Sequence, residues 1–176
     1  VIYIFLIVFL AGCLIPGQHS PKKNPEQKLL EEIITAFKNR AYESSIKACR
    51  EFLSLYPQSS FKDMVLMRMG DSFEGLLKQR YQGLVKEGMD EAKARTSFLE
   101  KYGQYNCWEV REGRLVYNKA IYLQLLKENP DSHYADEASY NLIPWGKKYN
   151  ENPDEIEKEI NYLKEILTKY PTTSLR

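Results

Sequence analysis

Apolar residues recur along this chain at helical spacing, and three of the resulting stripes end on one phrase. The copies are Phe52-Leu53-Ser54-Leu55-Tyr56-Pro57, Leu125-Leu126-Lys127-Glu128-Asn129-Pro130 and Ile166-Leu167-Thr168-Lys169-Tyr170-Pro171. The stripe entering the first is Tyr42, Ile46, Cys49, Phe52, Leu53, Tyr56; that entering the last is Ile156, Ile160, Leu163, Ile166, Leu167, Tyr170. Proline stops each helix because it has no amide hydrogen and drives the preceding residue out of the α region. A degenerate copy, Phe98-Leu99-Glu100-Lys101-Tyr102-Gly103, exchanges proline for glycine, expected to take a left-handed position after its helix. Phe52, Leu125 and Ile166 lie at one offset before their prolines and are predicted to be buried at helix seams. Amphipathic helices with a shared stop predict an all-α array of stacked helical hairpins.

Taken in order, the pattern predicts a helix over 25–39, with Asn24 as cap, Pro25 in the first position and Glu26 in the first turn. Tyr42 to Tyr56 follows as its partner. A third helix, capped by Ser59 or Ser60, runs to roughly Gln79, with Met64, Met67 and Met69 as core filler and Gly70 admitting a close neighbour. Asp90 to Tyr102 reads as a helix, whereas Gln104 to Gly113 has no clear period and clusters Tyr105, Cys107 and Trp108. Only 27 residues separate Gly103 from Pro130, short of the roughly 34 of a standard hairpin. Either the first helix is shortened there, or one long helix runs from Tyr105 to Asn129. Arg114 to Asn129 keeps helical offsets, with Lys119 standing where Ile46 and Ile160 stand in the other copies. A further helix carries Tyr134, Ala138, Leu142, Trp145 and Tyr149 and is interrupted by Pro144. The last begins at Asn152-Pro153-Asp154-Glu155. The closing residues, Thr172 to Arg176, resemble the opening of another hairpin, and the array reads as truncated there.

The first 15 or so residues are uncharged and apolar, too few for a bilayer span of roughly 20 but suited to an export signal. Leu10-Ala11-Gly12-Cys13 resembles the lipobox of bacterial lipoproteins, which implies cleavage after residue 12 and a lipid on Cys13. Residues 13–24 are rich in Pro, Gly, Ser and Lys and read as a tether, leaving 25–176 as the repeat domain. Export makes a Cys49–Cys107 disulfide conceivable, but Cys49 falls on an apolar stripe and reads as core.

A formal net charge of +1 argues against a nucleic-acid partner, which needs a basic face. No phosphate loop, dinucleotide fingerprint, zinc motif or nucleophile–base spacing is present, and His19 and His133 are isolated, so no enzyme, metal or cofactor is expected. The 13 tyrosines and two tryptophans suit helix seams and contact surfaces alike. Tyr102, Tyr105 and Trp108 lie where the repeat fails. They are candidates for partner binding if exposed, and irregular core if buried.

Tyr42-Glu43-Ser44-Ser45-Ile46 and Met69-Gly70-Asp71-Ser72-Phe73 resemble tetratricopeptide (TPR) phrases, with Ser45 in place of an alanine. Together with the lipobox, Tyr56-Pro57-Gln58-Ser59 and Asn129-Pro130-Asp131-Ser132 resemble the bacterial outer-membrane TPR lipoproteins of the BamD/ComL/YfiO family. That family includes the lipoprotein subunit of the β-barrel assembly machine. The resemblance covers most of residues 25–176. It implies a TPR-like α-α superhelix and a periplasmic scaffold that binds partner proteins, for instance in outer-membrane protein assembly. The alternative is an envelope TPR lipoprotein acting with peptidoglycan or a secretion or transport apparatus. Leu14 is not the aspartate that favours inner-membrane retention in related lipoproteins, so the resemblance implies the outer membrane.

Cys13→Ser should leave the protein as unprocessed precursor, whereas the unsubstituted protein should take up labelled palmitate and partition with membranes. A wholly soluble, unlabelled protein would sink the lipidation reading.

Overall fold

The computed structural model describes residues 24–143 and 153–173; the apolar stretch read as an export signal, Cys13, Trp145 and Tyr149 lie outside them. The described chain is mostly helical, and its helices pair in three hairpins. The first joins α1 (Pro25–Lys38) to α2 (Tyr42–Leu55). Asn24 closes the start of α1 with a reciprocal cap: its side chain accepts from the Gln27 amide at 2.7 Å, and the Gln27 side chain accepts from the Asn24 amide. The turn out of α1 uses no glycine. Arg40 takes a left-handed φ of 56°, and the amides of Arg40 and Ala41 bond back to Phe37 and Ala36.

The long helix α3 (Lys62–Lys86) lies on α2 and touches α1. Its hairpin partner is not the next helix. α4 (Glu91–Tyr102) packs on α3, and a short antiparallel pair follows, β1 (Trp108–Arg111) with β2 (Arg114–Tyr117). Only then comes α5 (Ala120–Glu128), which packs against α3 as α2 packs against α1. α6 (Ala135–Leu142) lies on α5 and opens the third hairpin, whose second helix is α7 (Pro153–Lys169). The middle hairpin therefore carries α4 and the strand pair as an insertion between its two helices.

The repeated phrase forms one turn three times. The amides of Tyr56, Asn129 and Tyr170 each donate to the carbonyl four residues back, at 2.8 Å in every copy. The amides of Ser59, Ser132 and Thr173 each donate to the carbonyl three residues back, at 3.1 Å. A hydroxyl then ties the turn to the first helix of its own hairpin: Ser59 donates to Glu26, and Thr173 donates to Asp136. In the middle copy the Asn129 amide group does this work, donating to Asp63 at 2.6 Å. Phe52, Leu125 and Ile166, predicted at the seams, are buried.

Two sequence expectations fail in the insertion. Gly103 is right-handed, with φ −58°, and runs into a single 3₁₀ turn; the left-handed residue is Asn106, at φ 53°. The stretch 114–129 is neither one helix nor the end of a longer one starting at Tyr105, because its first four residues are strand. Burial there alternates with period two: Leu115 and Tyr117 face inward, Arg114 is exposed. The strands turn at Glu112-Gly113, both at positive φ, the two-residue loop whose twist suits a hairpin. The third helix also outruns its predicted end at Gln79, and α6 ends at Ile143, extended as the residue before a proline must be.

Glycines fix how closely the helices approach. A Cβ on Gly70 would lie 2.4 Å from the Tyr122 ring of α5, and one on Gly75 would lie 2.4 Å from the Tyr42 ring of α2. Gly83, in the same helix, has nothing within 4 Å. Alanine at Gly83 should therefore raise stability by up to about 1 kcal/mol through helix propensity alone. Alanine at Gly70 should lower it by about 1–3 kcal/mol, because the buried ring must move. Urea denaturation of both variants checks the contrast, and equal effects would contradict the packing.

Candidate functional site

One face of α3 carries Arg68, Asp71 and Glu74 at three-residue spacing, which places them in a row. Arg68 pairs with Asp71 at 2.8 Å. The Tyr122 hydroxyl donates to the other Asp71 oxygen at 2.9 Å, and Lys119 pairs with Glu74. Lys119 is the left-handed residue that starts α5, with φ 62°, and its ammonium lies 5.8 and 5.7 Å from the ring centroids of Tyr117 and Tyr122. Burial lowers the amine to about 8, with the Asp71 charge opposing it. Burial likewise pushes the Asp71 carboxyl up, against the Tyr122 hydrogen bond and the Arg68 charge.

The row extends beyond its own helix. The Arg68 guanidinium sits 5.0 Å above the Phe37 ring of α1. On the other side burial, and next the Asp71 charge, raise the carboxyl of Glu137 on α6. Phe37, Arg68, Asp71, Glu74 and Glu137 thus form a polar strip across the first helices of all three hairpins. At Glu137 the strip opens into a cleft of about 820 Å³ between α6 and the end of α7, where Asp136, Tyr140, Lys169 and Tyr170 contribute walls.

The strip has no nucleophile held by a base, and among the described residues no three His, Cys, Asp or Glu side chains stand together as a metal set. It does carry partly exposed charges already held in ion pairs, Arg68 with Asp71 and Lys119 with Glu74.

Tyr102, Tyr105 and Trp108 do come together, but within the insertion's own core. Phe73 of α3 contacts the rings of Tyr105, Trp108 and Tyr117 at 5.2, 5.6 and 5.6 Å, and Phe98 of α4 contacts Tyr102 and Trp108 at 4.8 and 4.9 Å. Tyr102 is only 4 % exposed, and its hydroxyl donates to Glu43 of α2 at 2.6 Å. The Trp108 indole donates to the Tyr102 carbonyl at 2.7 Å, and Arg50 lies over Tyr105. Tyr105 and Trp108 are half-buried. The three rings therefore weld the insertion to α3 and α2. Cys49 and Cys107 are free, buried thiols, each pushed up to about 12 by burial.

The sequence reading missed Asp71, Glu74 and Glu137 as a group, because they come together only through folding. One signal was available: Lys119 interrupts an apolar stripe, and a charge at a seam position needs a partner.

The Tyr102 hydroxyl holds the Glu43 carboxyl below its ordinary value of 4.5, with Lys101 and Arg80 helping against partial burial. A depressed acid stabilises the fold above its unfolded value, and the gain is lost as pH falls through the folded value. Tyr102→Phe should thus cost about 1 kcal/mol at neutral pH, and the two proteins should converge as the pH drops below 4.5. Melting curves across pH would contradict this if the gap were constant.

Comparison with protein-family models, curated proteins and solved structures returns no match to this chain.

Proposed function

We propose that this protein is a lipid-anchored scaffold of the bacterial envelope, facing the periplasm from the outer membrane, and that its hairpins form a TPR-like superhelix. Its first-helix face holds a segment of a partner protein. The lipobox at Cys13 and the tether to residue 24 support the anchor. The thrice-repeated turn, with the same hydrogen bonds at Tyr56, Asn129 and Tyr170, supports the stacked-hairpin architecture.

The observation that carries the binding reading is the polar strip from Phe37 to Glu137. Stacked hairpins bury their apolar stripes against neighbours, so a partner meets what remains on the first-helix face. Here that is a row of ion pairs whose members reach solvent: the Lys119 side chain is 29 % exposed and that of Glu74 39 %. Such groups can hydrogen-bond the backbone of an extended segment and select its charges at little ordering cost, being pinned already. With Arg68 and Lys119 set against Asp71, Glu74 and Glu137, the strip carries both signs and fits a segment of mixed charge rather than a polyanion.

Photoreactive residues placed at Glu74 and Tyr140 should capture partner proteins in intact cells. The same residue at Leu55, exposed on the second helix of the first hairpin, should not. Adducts of equal yield at all three positions, or at Leu55 alone, would overturn the assignment of the binding face.

A further inference from the structure

The strand pair has one covered edge and one open edge. β2 lies against α3 and α4, and its Leu115 amide donates outward to the Tyr81 hydroxyl at 3.4 Å. An amide aimed away from the partner strand marks Leu115 and the opposite residue, Val110, as a pair without ladder bonds. The far end agrees. There the Asn118 amide donates to the Cys107 carbonyl at 3.0 Å, so the alternation leaves Trp108 and Tyr117 unbonded as well. The amides and carbonyls of Trp108 and Val110 therefore point away from β2. No strand stands on that side, and among the described residues neither main chain finds a partner there.

Proteins commonly blunt such an edge with unpaired charge, proline or a bulge. Here the two charged residues, Glu109 and Arg111, pair with each other, and Val110 between them is 51 % exposed. Beside β1 runs a groove of about 470 Å³, with Arg111 on one wall and Leu142, Ile143, Tyr162 and Ile166 on the other. Of the strand pair only β1 lines it. Unpaired main-chain groups and an apolar wall thus lie side by side, and together they say what fits. An occupant must supply donors and acceptors at two-residue spacing and an apolar group next to them. An extended polypeptide does both. A helix has spent its backbone bonds on itself, and a lipid lacks the repeat.

We propose that β1 receives an extended segment of a partner protein as a third strand, and that an apolar side chain of the segment seats in the groove against Leu142, Ile143 and Ile166. Main-chain bonds at Trp108 and Val110 supply the affinity, and the groove selects the residue. The walls of the groove include none of Arg68, Asp71, Glu74 and Glu137, so the site is separate from the first-helix strip and stands even if that strip binds nothing.

Short random peptides displayed on phage and selected on the protein supply the probe, and synthetic copies are titrated by fluorescence anisotropy. Val110→Pro removes an outward amide but no ladder bond, a substitution that edge strands tolerate. It should weaken the selected peptides at least about tenfold and leave the melting temperature nearly unchanged. N-methylation along a selected peptide reads the same bonds in the unsubstituted protein: losses of about tenfold or more should fall on every second residue, because only alternate amides face β1. If no peptide is selected, or none responds to Val110→Pro and to alternate N-methylation, the proposal is overturned. Amide exchange checks the edge itself. The Val110 amide should exchange freely in the unliganded protein and slow when peptide is added. Protection already present without peptide overturns the proposal: protection lost on dilution assigns the edge to a second copy, and protection that persists assigns it to the chain's own residues.

Discussion

The Tyr122 ring lies where a side chain on Gly70 would be, and much of the molecule follows from that contact. Because the ring can sink onto the backbone of α3, its hydroxyl arrives at Asp71, and Asp71 is left with Arg68 as its other partner. The same descent brings the start of α5 close enough for Lys119 to reach Glu74. A larger residue at 70 would lift α5, and the lifted helix would leave a half-buried carboxylate short of a hydrogen bond. Burying such a group unpaired costs more than its bonds contribute when made. Packing and the polar strip are therefore one arrangement seen from two sides.

The insertion shows how a stack accepts foreign sequence without breaking. α4 and the strand pair leave and return between the two helices of a hairpin, so both seams of that hairpin stay intact. Their own stability comes from rings gathered on Phe73 and Phe98, edge-to-face in most pairs, the geometry aromatic quadrupoles favour. Glu43, reached by Tyr102 from the insertion and by Arg80 from α3, anchors the added piece to the first hairpin. The rings of Tyr102, Tyr105 and Trp108 thus take part in attaching the insertion, Tyr102 buried and the other two half-buried.

Legibility in the sequence followed how local each cause was. The cap at Asn24, the stop turns and the buried seam residues Phe52, Leu125 and Ile166 depend on neighbours within a few positions, and the periodicity exposes them. Gly70 was readable because a glycine inside a helix needs a reason. Arg114 to Tyr117 was misread because Leu115 and Tyr122 also satisfy a helical period, and over four residues a strand and a helix predict overlapping burial. Glu112-Gly113 was the local hint of a hairpin turn there, and it was outweighed. The polar strip was invisible for a different reason. Its members come from three helices, α1, α3 and α6, and nothing near Glu137 in the chain announces Asp71.

The insertion also sets the order in which contacts become accessible to a folding chain. Asp71 and Tyr122 are 51 residues apart, whereas α1 and α2 are joined by a tight turn at Arg40. Closing the longer loop costs more chain entropy, and rates fall as contacts become less local. The local contacts of the first hairpin therefore close at lower entropic cost, while those of the middle one wait on bringing 87–118 together. During that wait the α3 face meant for α5 stands bare. A neighbouring chain could then dock at Gly70 and Asp71 in the place of α5.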